Sequence, residues 1–263
     1  MYQLELLSIV KTLYPLPNVI VADIMVKITK FQGAEVVKNG IEARRESSRR
    51  QIMFAAMDLF YEKGYQKTTT RDIICRAGIL NGSLYNRFKS KEDILLSIVH
   101  DALGDALGES GKLLAAESNP LVAALLPGAL EIYVSSRDLR LADILYEAHH
   151  SWTAVESYIE AYGRWSADHL ERFGFQSGEG GRLKIISIVG AVGNIAGYYL
   201  NGGTAPIRDS LSGFVSLSAG VFRLPVLDVQ GIVDRLIAIL ESGDVIICGH
   251  AVTANGLDAV APN

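Results

Sequence analysis

The chain has 263 residues, of which 49% are apolar and 21% charged, so it can bury a substantial core in one or two compact domains. Its net charge of −4 is unevenly spread: residues 38 to 100 hold 12 Lys/Arg against 7 Asp/Glu, and residues 101 to 263 hold 10 against 19. That asymmetry excludes a protein that coats a polyanion along its whole surface and fits a small basic head on a larger acidic body.

Residues 1–40 are weakly patterned, with Leu4, Leu6, Leu7, Ile9 and Val10 followed by Pro15 and Pro17. They read as an N-terminal extension of unassigned role, and Met1 and Met25 are both available starts of translation. Glu5 precedes any basic residue and the prolines break the apolar stretch, so no secretory signal is expected. From Ser48 the pattern sharpens. Ser48 and Gln51 have capping-box spacing, and Ile52, Ala55, Ala56, Leu59 and Phe60 repeat as one helical face that should stop at Gly64. Thr69, with Asp72 three residues on, starts a short helix ending at Ala77 before Gly78. A third short helix is expected over Gly82 to Phe88, with Leu84 and Phe88 facing inward, and Ser90 caps a longer helix opening at Lys91. Two short helices joined by a glycine turn make a helix-turn-helix at about Thr69 to Phe88.

Beyond it the pattern is helical throughout, with no alternating strand signal. Asn119 and Pro120 form a helix start, Thr153 and Glu156 a second capping box opening a helix to about Phe173, and further helices fall at about 180–201, 206–222 and 228–241. Residues 244–263 read as a flexible tail. The apolar run Ile185 to Leu200 carries Asn194, is shorter than the roughly 20 residues a bilayer helix needs, and reads as a buried helix. Cys75 and Cys248 cannot build a disulfide framework, which points to a reducing, cytoplasmic location. Cys75 reads as a small semi-buried residue.

The stretch Arg49 to Leu95 resembles the N-terminal domain of TetR-family regulators: AA and LF in the first helix, GY and TT before the second, AG at the turn, GSLY with the phenylalanine of the third, and SKED opening the fourth. The resemblance implies an all-α fold, with a three-helix DNA-binding domain over 41–92 and a larger helical effector-binding and dimerisation domain over 93–243. The chemistry of the residues agrees. A short helix flanked by polar turns fits a major groove about 12 Å wide. The hydroxyls of Thr69, Thr70 and Tyr85 and the charge of Lys91 suit phosphates, whereas Asn81, Ser83, Asn86 and Arg87 suit base edges, with Gly82 keeping the helix slim. Tyr85 also matches the family's phosphate-contacting tyrosine, although it could instead belong to the core. Two departures stand out. Leu80 occupies the place of the family's usual capping serine, so that Asn81 is left to take over the cap, and Arg87 replaces a frequent histidine.

For the C-terminal part the resemblance implies a homodimer and an inducer pocket. Gly190, Ala191, Gly193, Ala196 and Gly197, followed by Ser210, Ser212, Gly213, Ser216, Ser218, Ala219 and Gly220, allow close helix approach either in a two-fold interface or within the chain; the dimer is the favoured reading. Tyr133, Tyr146, His149, Trp152, Tyr158 and Tyr162 are the candidate pocket lining, with the core as their other use. Adjacent His149 and His150 diverge by about 100° on a helix, so no metal site is expected, and no cofactor is implied. The leading function is a regulator, released from operator DNA by a small-molecule effector; the alternative is a helical adaptor that has lost specific DNA binding. An enzyme is disfavoured, because the one near-miss to a phosphate loop, Ala106 to Leu113, lacks its first glycine and its final Ser/Thr.

Overall fold

A computed structural model describes residues 44–116, 119–170, 179–223, 228–247 and 250–259. The chain divides into two compact units, residues 1–51 and 52–263. Of the first, residues 44–51 are helical, with Arg50 Nε donating to Glu46 Oε1 at 3.0 Å. Ser48 therefore lies within a helix and does not cap one; the expected extension over 1–40 lies outside the described residues.

The second unit opens with helix α1 (52–63), which buries the expected face of Ile52, Ala55, Ala56, Leu59 and Phe60. Helix α2 (Thr70–Ala77) begins at the capping box foreseen at Thr69 and Asp72. It ends at Gly78, whose φ of 62° is left-handed and suits a residue without a Cβ. Helix α3 is Asn81–Tyr85, shorter and one residue earlier than expected, with Leu80 as an N-cap that makes no side-chain bond. Helix α4 (Lys91–Ala116) runs unbroken through the expected boundary at 92/93. Its buried Ile94, Leu95, Val99 and Leu103 join the head's core to the body's in one cluster.

In the body, α5 (Pro120–Arg137) starts at Asn119, which accepts from Leu121 N at 3.0 Å, and is buried nearly all round, making it the central helix. Around it pack α6 (Leu139–His150), α7 (Trp152–Leu170), α8 (Glu179–Leu200), α9 (Ile207–Phe222) and α10 (Val229–Glu241). Helix α7 starts at Trp152, ahead of the expected Thr153 cap, and its expected continuation to Phe173 lies outside the described residues. Among the described residues one helix, Gly180–Leu200, is long and apolar enough by length and composition to cross a membrane. Only 33% of its most apolar stretch is buried within the chain, so the buried-helix reading holds for one face alone.

The flexible-tail reading of 244–263 needs correction over its described residues, 244–247 and 250–259. Strands β1 (Ser242–Ile247), β2 (His250–Thr253) and β3 (Gly256–Ala259) form an antiparallel sheet in that order. Val245, Ile247 and Val252 are buried, and the sheet packs on α4, α5 and α10. A two-residue loop, Ala254 and Asn255, closes the second hairpin before Gly256.

Candidate functional site

The head is braced before it presents anything. Buried Thr68 donates to the carbonyls of Gly64 at 2.9 Å and Leu59 at 3.2 Å, fixing the turn between α1 and α2. Thr69 Oγ1 accepts from Asp72 N at 3.2 Å and donates to Asp72 Oδ2 at 2.6 Å, and Lys63 Nζ lies 2.7 Å from the same carboxylate. Lys63 first, then Thr69, hold the Asp72 carboxyl well below its ordinary pKa. The Thr69 hydroxyl is thus committed to the cap.

Thr70 Oγ1 lies 3.3 Å from the Tyr85 hydroxyl, tying the start of α2 to the end of α3. Tyr85 is 51% exposed, which places it on the surface and outside the core. Asn81, Gly82 and Asn86 are exposed and Ser83 half-buried along the same short helix and its end. Leu80, 80% exposed, leads into them. Arg87 is half-buried, and its Nε has no hydrogen-bond partner among the described residues.

Lys91 departs most from expectation. It is half-buried, its Nζ donates to Tyr65 O at 2.7 Å and reaches Gln66 O at 3.5 Å, and it sits 4.1 Å over the Tyr65 ring. Burial lowers its pKa. Two of its three donor directions are used within the head, so its first role is to hold the turn after α1.

The same turn is held from the other side by α6 and its cap. Tyr61 donates to Asp138 Oδ2, Tyr65 N to Asp143 Oδ2 at 3.1 Å, and Gln66 Nε2 to Glu147 Oε2 at 2.9 Å. The Arg140 guanidinium lies 4.2 Å over the Tyr61 ring. Facing α8, α6 presents His149 and Tyr146 against Gly193 and Gly197. A Cβ at Gly193 would stand 2.4 Å from that of His149, and one at Gly197 would stand 2.8 Å from the Tyr146 ring. These two glycines therefore serve packing within the chain, whereas Gly190, Gly213 and Gly220 face open space.

A cavity of about 540 Å³ opens between α5, α7, α8 and α9. Its walls are mainly hydrocarbon, with Leu125, Ile159, Ile185, Ile188, Val189 and Phe214 among them, and Glu160, Arg164, Arg182 and Ser218 as polar members. Of the six residues expected to line it, Tyr162 does. The others have different work. Tyr158 donates to Glu131 Oε1 and His149 Nε2 lies against Glu131 Oε2, both at 2.7 Å, and the two rings stack at 4.8 Å. Burial first, then the Glu131 charge, raises the pKa of Tyr158 and Tyr162. The Tyr133 hydroxyl lies 3.1 Å from both Glu241 Oε1 and Thr253 O, joining α5 to α10 and the sheet. Tyr146 packs on His150 and α8, and Trp152 is 58% exposed. A signal was present for the true lining: Phe214, Ser218 and Phe222 form an i, i+4, i+8 stripe on α9 that faces the cavity. Among the described residues no group of three His, Cys, Asp or Glu could hold a metal ion.

Residues 52–98 match the family model described as bacterial regulatory proteins, tetR family. The transcriptional repressor KstR2 of Mycolicibacterium smegmatis is 39% identical over 75 residues, covering 28% of this chain and 37% of the repressor. The fatty acid metabolism regulator protein of Bacillus subtilis is 39% identical over 54 residues, 20% of this chain and 28% of that protein. The chain thus spans well under half the length of these curated relatives. Among solved structures, RolR in complex with the ligand resorcinol aligns with a TM-score of 0.56 at 18% identity, over 74% of this chain and 96% of RolR. A putative TetR-family regulator from Syntrophomonas wolfei gives 0.52 at 20% identity, over 70% and 99%. The likeness at that identity is one of fold, and it extends through the helical body.

Proposed function

We propose that this chain, with its tetR-family head over 52–98, is a cytoplasmic DNA-binding transcriptional regulator, a repressor that leaves its operator when a small molecule occupies the body cavity. The observation that carries the reading is the exposed helix-turn-helix itself. Tyr85 and Thr70 meet at its rim, Asn81 and Ser83 stand on α3, and Asn86 caps its end. In that geometry Thr70 and Tyr85, with the remaining Lys91 proton, grip phosphates; the amides of Asn81 and Asn86 read base edges.

The outer face of α8 and α9 supports binding as a homodimer. Leu183, Tyr198 and Leu217 are exposed there, and Gly190, Gly213 and Gly220 meet nothing within the chain. A two-fold pairing of these helices buries that face and sets two heads about 34 Å apart, one DNA turn. No catalytic role is proposed.

Genomic DNA fragments retained by the purified protein at low and raised salt test the reading. A shared palindromic sequence is expected, with affinity that falls steeply with salt. Within that site, Tyr85→Phe should weaken all sequences alike, and Asn86→Ala should relax preference at particular bases by about 1–3 kcal/mol. Retention without any preferred sequence leaves the adaptor reading in its place.

A further inference from the structure

The cavity wall contains a buried hydroxyl that its own fold leaves unserved. Ser218 is 1% exposed, lines the cavity between Phe214 and Phe222 on one stripe of α9, and its Oγ has no hydrogen-bond partner among the described residues. A helical serine commonly donates back to the carbonyl four residues earlier. Ser110, Ser187 and Ser157 do so in this chain; Ser218 does not. A buried hydroxyl without a partner carries the desolvation cost of its lost water bonds, and that cost is recovered only when a donor or acceptor arrives. A second unserved donor, the indole N–H of Trp165, lies in the same wall beside Gly111 of α4.

The lining carries charges of both signs. Arg182 is shared with Glu156 at 3.3 Å, and Arg164 shares the lining with Glu160. Around Ser218 the walls are aliphatic and aromatic.

We infer that the cavity takes an uncharged, predominantly hydrocarbon molecule bearing a hydroxyl or carbonyl oxygen, and that Ser218 bonds to that oxygen between the rings of Phe214 and Phe222. The inference rests on the reading of this cavity as the effector site and names the class of effector. A ligand of pure hydrocarbon fills the walls but leaves Ser218 unpaired; one with an oxygen at that point satisfies both.

Two probes that differ by one hydroxyl, 4-cyclohexylphenol and cyclohexylbenzene, test it on the full chain. In a Trp152→Phe background the intrinsic fluorescence comes from Trp165 in the cavity wall. The phenol is expected to bind on the order of tenfold more tightly than the hydrocarbon, Ser218→Ala to erase that ratio, and Ser218→Thr to keep most of it. Unfolding curves of each variant show that it is folded. Equal binding of the two probes, a ratio that survives Ser218→Ala, or no binding of either overturns the assignment. A charged homologue, 4-cyclohexylbenzoate, binding more tightly than the phenol would overturn it as well. Operator binding is measured separately: its absence with the probe ratio intact removes the regulator reading and leaves the assignment of Ser218 standing.

Discussion

Leu80 concentrates the residue-scale question. An N-cap is where a side-chain oxygen ordinarily accepts from the backbone of the first turn, and Leu80 offers none while exposing most of its side chain to water. Leu80→Asp adds the acceptor in a backbone that is already extended, with φ −78° and ψ 152°. It should stabilise the chain by about 1 kcal/mol and raise the melting temperature by roughly 2 °C. A melting temperature that stays put or falls in thermal unfolding counts against Leu80 as a missing cap. The short helix α3, with Leu84 inward and Tyr85 at the surface, was legible from residue type and from the GSLY pattern, and its phosphate and base contacts are proposals built on it. The commitment of Lys91 to Tyr65 and Gln66 was not, because it joins residues 26 apart whose meeting depends on how α4 leaves the head. Thr69, likewise, was legible as a cap, but the cap takes up the hydroxyl that was also assigned to phosphate.

At the scale of elements, the start of α2 couples to pH. The Asp72 carboxyl is held below its ordinary value of 3.8 by Lys63 and Thr69, so the folded state binds this proton less readily than the unfolded chain. A depressed carboxylate contributes stability that is fully present above about 4 and is lost as pH falls towards the folded value. The stability lead of the wild type over Asp72→Asn should therefore be constant from pH 8 to about 5 and narrow below that. Thermal unfolding of both proteins across that range decides it, and a lead that persists undiminished at pH 3 contradicts the role given to ionised Asp72. In the body, Gly128 marks where α5 and α9 touch. A Cβ there would stand 2.5 Å from Cζ of Phe214 and 3.3 Å from Val192 Cγ2, both in a packed wall. Gly128→Ala should cost about 1–3 kcal/mol by overpacking, measured by denaturant unfolding. Periodicity alone located α8, α9 and α10 to within a residue or two, since each carries a continuous apolar stripe between clear breakers. It missed the sheet because its strands are only four to six residues long and their buried faces comprise few side chains. The Asn255-Gly256 pair was the available hairpin signal.

Across the whole molecule, α6 touches both the head and the helix that forms one wall of the cavity. On one side Asp143 and Glu147, with the cap Asp138, hold Tyr65, Gln66 and Tyr61 of the head; on the other His149 and Tyr146 lie against glycines of α8, the helix whose Ile185, Ile188 and Val189 line the cavity. Such contiguity becomes coupling only if the two ends bias one another, and thermodynamic linkage supplies the check. Asp143→Ala removes the carboxylate that accepts the Tyr65 amide, and Glu147→Ala the one that accepts Gln66, without touching either the cavity or α3. If α6 carries the signal, the double variant should bind operator within a few-fold of wild type, yet a saturating cavity ligand should release it several-fold less well. By reciprocity, operator DNA should weaken ligand binding less in the variant than in the wild type, and by the same factor. Titrating ligand with and without operator on both proteins measures that factor twice. Equal release in wild type and variant would mean that occupancy of the cavity reaches the head by another route, with α4, which runs from the head into the body, the next element to test.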